Sequence, residues 1–114
     1  EPIIAMQSAP DLIASVRLYT TEKGGRSGST PSDKFGFLFG VNGEWFDCWM
    51  MLQGVGALAP GVSARVPLIF LNRHLLKDEI ETGSRFVIRD GRIVGEGVVE
   101  EIISLEKKPP RKSA

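Results

Sequence analysis

The chain has 114 residues, with 14 basic and 14 acidic side chains, 42% apolar and 25% charged residues. That suffices for one domain with its own hydrophobic core and is too little for two comfortable ones, and the composition suggests neither disorder, a collagen-like repeat nor a membrane span. The formal net charge of zero excludes whole-molecule attraction to nucleic acid or an anionic membrane, so charge-driven binding has to be local.

Residues 1–11 have no clean period and close on Pro10-Asp11, so they read as a lead-in segment. Glu1 in place of methionine fits a trimmed or excised chain. From Leu12 onward, Leu12, Ala14, Val16 and Leu18 alternate with Ser15, Arg17 and Tyr19, the period of a half-buried strand. Residues 21–34 are rich in Gly, Ser, Thr and Pro and form an exposed loop too long for a tight turn.

Asn42-Gly43 between two apolar runs predicts a two-residue hairpin turn. Its register pairs Phe39 with Phe46, Phe37 with Cys48 and Phe35 with Met50 on a core face. The other face pairs Gly40 with Trp45 and Gly36 with Trp49, with Leu38, Asp47 and Met51 beside them, so two indoles lie over two glycines.

Turn formers fill residues 53–61, and Val62, Ala64, Val66, Leu68 and Phe70 then mark a long strand. Pro67, having no N–H, predicts an edge or a bulge in it. Residues 72–83 read as a short helical turn or an irregular crossing. A second hairpin is expected around Asp90-Gly91, with Phe86, Ile88 and Ile93 facing inward. Its outer pairs are Arg85 with Glu96, Val87 with Val94 and Arg89 with Arg92. Residues 106–114 carry Lys107, Lys108, Arg111 and Lys112 against Glu106 and read as a basic disordered tail. About six strands and almost no helix predict an all-β domain over residues 12–105. Closing so small a sheet into an antiparallel barrel removes its edges.

The run from Val16 to Arg26 (VRLYTTEKGGR) resembles the opening strand and Gly-Gly-Arg loop of the third, C-terminal domain of bacterial elongation factor Tu. The run from Gly83 to Val99 (GSRFVIRDGRIVGEGVV) resembles that domain's final hairpin. The resemblance spans about residues 12–103. The stretch from Ser32 to Phe37 lacks the family's Tyr-Arg-Pro element, and the final turn is one glycine shorter. It implies a Greek-key β-barrel in a translation-related setting. The matching candidates for contact with tRNA are Arg26 in the loop and Arg89, Asp90, Gly91 and Arg92 in the turn.

Little else in the chain carries chemistry. A GxxxxGK[ST] phosphate loop is absent, so the chain is not expected to bind a nucleotide itself. His74 has no second imidazole and Cys48 is the only cysteine, so neither a metal site nor a catalytic pair is expected. Cys48 cannot form an internal disulfide, and no signal-type apolar stretch opens the chain, which together fit a reducing, cytoplasmic compartment. Asp78, Glu79 and Glu81 read as a solvated face.

Two surfaces remain. Arg85, Arg89 and Arg92, with Arg26 near them, offer forked donors to phosphates or carboxylates, unless Glu96 neutralises Arg85. Leu38, Trp45, Trp49 and Met51 form an apolar face that either docks a partner or lies under the 21–34 loop or the lead-in. The expected function is a non-enzymatic binding module without cofactor, capturing a protein partner or a second copy through the tryptophan face. The alternatives are an RNA-binding accessory whose arginine face holds tRNA weakly and salt-sensitively, and a small enzyme with its site in the 21–34 loop.

Overall fold

The computed structural model describes residues 10–72, 75, 76 and 80–103. His74, Asp78, Glu79, most of the lead-in and the basic tail lie outside the described residues. Six strands form the domain: β1 (Leu12–Leu18), β2 (Lys34–Val41), β3 (Glu44–Met51), β4 (Ser63–Phe70), β5 (Arg85–Asp90) and β6 (Arg92–Ile102). They close into one antiparallel barrel in the order β1-β4-β3-β2-β5-β6. Consecutive β2, β3 and β4 are neighbours and β1 returns beside β4, the Greek-key arrangement. Among the described residues there is no helix long and apolar enough to cross a membrane.

Alternation builds the core. Leu12, Ala14, Val16 and Leu18 of β1 are buried, as are Phe35, Phe37 and Phe39 of β2 and Phe46, Cys48 and Met50 of β3. Phe39 lies at the centre, stacked on Phe86 at 4.2 Å and edge-on to Phe70 at 4.9 Å between ring centres. Burying an aromatic ring in such a cluster stabilises by about 1.5–3 kcal/mol. Asp11 is buried beside this core and its carboxylate accepts the Phe70 N–H at 2.7 Å, so the end of the lead-in is tied to β4.

The first hairpin has the expected register, with Val41 opposite Glu44 through to Lys34 opposite Met51. Asn42 and Gly43 both have positive φ, at 52° and 78°, as a type I′ turn requires. This hairpin joins the remaining barrel through two short ladders of three residue pairs each, β2–β5 and β3–β4.

One expectation is corrected and one is narrowed. The second hairpin pairs Arg85 with Val98, Val87 with Glu96 and Arg89 with Ile93, not with Glu96, Val94 and Arg92. A bulge sits where the register shifts between Ile88 and Arg89, opposite Val94. The extra residue turns Val94 inward, where it is buried, and leaves Ile93 outward and 44% exposed. Of the two features expected at Pro67 the bulge is absent, since the register of β4 with β1 is unbroken, and the edge is local: β4 lies between β1 and β3 but has no β3 partner from Ser63 to Pro67. The β3–β4 ladder stops at Met50–Leu68, next to the residue that has no N–H to give.

The 21–34 loop opens with a 3-10 turn at Thr21–Lys23 and is mostly exposed. Thr30 is its buried anchor. Its N–H donates to Leu58 O at 2.9 Å, and the Leu58 N–H donates to the Thr30 hydroxyl at 2.9 Å.

Candidate functional site

The tryptophan face is built from strand pairing. Gly40 opposes Trp45 and Gly36 opposes Trp49, and the absent side chains let both indoles lie flat on β2. A Cβ on Gly40 would sit 2.5 Å from Trp45 Cζ3, and one on Gly36 3.1 Å from Trp49 Cζ3. Each ring carries a cation on it, the Arg89 guanidinium 5.1 Å from the Trp45 ring centre and the Lys34 ammonium 4.7 Å from that of Trp49. Such contacts contribute about 0.5–1 kcal/mol at exposed sites. Leu38 lies between the indoles, paired with Asp47 on one side and Arg89 on the other. Leu38, Trp49 and Met51 are half-buried, whereas Trp45 remains 42% exposed.

The arginines divide into two groups. Arg26 and Arg92 are spent inside the molecule. Arg26 pairs with Asp90 at 2.5 Å, donates to the carbonyls of Gly28 and Ser29 at 3.2 Å, and stacks on Phe35. Arg92 donates to Gly24 O at 2.9 Å and Gly25 O at 2.8 Å. Loop and turn therefore hold each other through a reciprocal clasp around Gly91. Arg85 and Arg89 point outward from β5 with Val87 between them, and neither makes an ion pair among the described residues.

Because β2 pairs with both β3 and β5, the outer rows of all three strands are continuous. The arginine face and the tryptophan face are thus one surface at Arg89 and Trp45. That continuity depends on pairing between strands distant in sequence, which alternation along single strands does not carry.

A groove of 890 Å³ opens beside Trp45. Its floor is Val87, Glu96 and Val98, one wall is the hairpin tip from Val41 to Trp45, and Arg17 and Arg85 lie along it. The groove exists because the β2–β5 ladder stops at Gly40–Val87, so the tip runs on unpaired with β5. A second hollow of 320 Å³ adjoins Trp49, lined by Leu38, Asp47, Arg89 and the 55% exposed Leu71.

Glu96 does not neutralise Arg85. Its carboxylate accepts from Arg17 Nη2 at 3.1 Å and from the Tyr19 hydroxyl at 3.1 Å. Burial pushes the Tyr19 phenol up, and the Glu96 carboxylate adds to the rise. Arg17 lines the groove and Tyr19, just past the end of β1, holds Glu96 there; sequence reasoning singled out neither, and the outward position of Arg17 in β1 was the available signal.

Two further groups have displaced proton affinities. Burial, with Asp11 nearby, pushes the Cys48 thiol well up, which removes its thiolate at neutral pH. The Ser15 hydroxyl, which hydrogen-bonds Glu100, and Arg65 at 3.3 Å hold the Glu100 carboxyl down. Among the described residues no cluster of His, Cys, Asp or Glu is placed to hold a metal ion. No family model matches the chain, and no curated protein matches it.

Proposed function

We propose that this barrel, similar to the C-terminal domain of elongation factor Tu, is a non-catalytic module that docks a protein partner in a translation-related setting. The docking surface is the outer face of Leu38, Trp45, Trp49 and Met51, continued by Arg89. The observation that carries this reading is Trp45. Its indole is held flat between Gly40 and Arg89 at the rim of an 890 Å³ groove while 42% of it faces solvent. Aromatic rings fixed at the lip of a concavity are the usual anchors of interfaces, and burying the exposed part would stabilise a complex.

The family likeness is supported by the clasp. The two segments that carry the resemblance are far apart in sequence, yet Arg26 pairs with Asp90 and Arg92 holds Gly24 and Gly25. The same clasp weakens the RNA reading, because two of the four candidate arginines are committed internally.

Selection from a displayed random peptide library tests the proposal. The wild-type chain should enrich ligands whose binding is lost on Trp45→Ala, and it should bind tRNA little at moderate salt. Enrichment indifferent to Trp45→Ala, or tRNA binding that survives moderate salt and falls on Arg89→Ala, would count against it.

A further inference from the structure

The chemistry of the partner can be read from β5. Its outward row is Arg85, Val87 and Arg89, and the two guanidiniums have no carboxylate partner among the described residues. Of the acids around them, Glu96 is engaged by Arg17 and Tyr19 and Asp90 by Arg26, while Glu44 in the groove and Asp47 beside Leu38 make no ion pair with either arginine. Between the arginines, Val87 and the indole of Trp45 give an apolar surface. Residues four apart on a strand are separated by roughly 13 Å, and an extended peptide places its own side chains i and i+4 at that same spacing on one side. The barrel is closed and β5 is paired on both sides from Val87 to Arg89, so recognition there falls to outer side chains instead of strand addition to a free edge.

We infer that this surface takes an extended acidic peptide of a partner protein, with carboxylates at positions i and i+4 on Arg85 and Arg89 and an apolar side chain at i+2 over Val87 and against Trp45. The inference rests on the docking reading above and gives it a partner class. Charge complementarity selects this occupant: two unpaired forked donors flank an apolar strip, and a guanidinium suits a carboxylate in bidentate geometry. A phosphodiester chain suits the surface less. The other two candidate arginines are occupied, which leaves two guanidiniums, enough for two carboxylates and few for a backbone charged at every nucleotide.

The test is a calorimetric titration of the full chain with a synthetic peptide carrying Glu-Ser-Leu-Ser-Glu at its centre, followed also by tryptophan emission. Binding should weaken about fivefold for each Glu→Gln change in the peptide, and by a similar factor on Arg85→Gln or Arg89→Gln. It should also weaken as salt rises. A peptide with both Glu changed to Lys should fail on the wild type and bind the Arg85→Glu/Arg89→Glu variant. Peptide-side changes leave the barrel untouched, so altered folding of an arginine variant cannot mask the result. Equal binding of the Glu and Gln peptides, dependent on Trp45, would overturn the acidic specificity while leaving the docking reading intact. No binding of either peptide, or displacement of the Glu peptide by tRNA, would overturn the inference. The library selection then judges the docking reading separately.

Discussion

Replacing Gly40 by Ala probes the surface most directly. A methyl group built there lies 2.5 Å from Trp45 Cζ3, 2.8 Å from Trp45 Cε3 and 2.8 Å from Val87 Cγ2. Carbon atoms in ordinary contact are about 3.5–4.0 Å apart, so roughly 1 Å has to open. Overpacking of this kind costs about 1–3 kcal/mol in a closed core. Trp45 is 42% exposed and can swing toward solvent, so the cost should fall near about 1 kcal/mol. For a domain of this size that lowers Tm by about 4–8 °C. Urea denaturation gives the free energy, and indole emission should shift to the red as the ring leaves Arg89 and enters water. The cycle with Trp45→Ala supplies the decisive comparison, because without the indole Gly40→Ala should cost markedly less. Equal costs in the two backgrounds would refute the claim that Trp45 is what requires a glycine at this position.

Other expectations follow from the clasp and from the displaced proton affinities. Arg92→Ala removes both hydrogen bonds to Gly24 and Gly25, should cost about 1–2 kcal/mol, and should expose the 21–33 loop to limited proteolysis faster than Arg85→Ala does. The Cys48 thiol should resist alkylation in the native protein at neutral pH and react once urea unfolds the chain. Folding raises its affinity for the proton, so its contribution is intact below an unfolded thiol's value of about 8.5 and is lost as pH rises from there toward the folded value. For Glu100 the sign reverses. Its carboxyl is held down in the fold, so its contribution is complete above the ordinary value of about 4.3 and disappears as pH falls through the lowered one. Glu100→Gln should flatten that part of an acid denaturation series.

The first hairpin was legible because two local signals agree. Asn42-Gly43 demands positive φ at both positions, and Phe35, Phe37 and Phe39 alternate on the strand before it. The second hairpin carried the same turn signal and misled, because a bulge adds one residue without altering the apolar content. Ile93 and Val94 are equally apolar, so nothing along the strand distinguishes which of them turns inward. Gly95 and Gly97 report the closure in retrospect. A Cβ on Gly97 would meet Phe86 Cζ at 2.3 Å and Ser15 O at 2.8 Å, contacts that exist only once β6 lies between β1 and β5. The partners of Arg26 and Arg92 were hidden for the same reason. Both arginines reach across a gap of more than 60 residues to groups that closure brings to one end of the barrel.

The narrow attachment of the β2–β3 hairpin bears on how copies of this chain behave at high concentration. Eight residue pairs bind the hairpin to itself, and only three bind each flank to the four strands around it. Its outer amides should therefore exchange with solvent before those of β1 and β6. Were two copies of the chain to exchange an element, this hairpin should be the one traded, each completing the other's wall in an intertwined dimer.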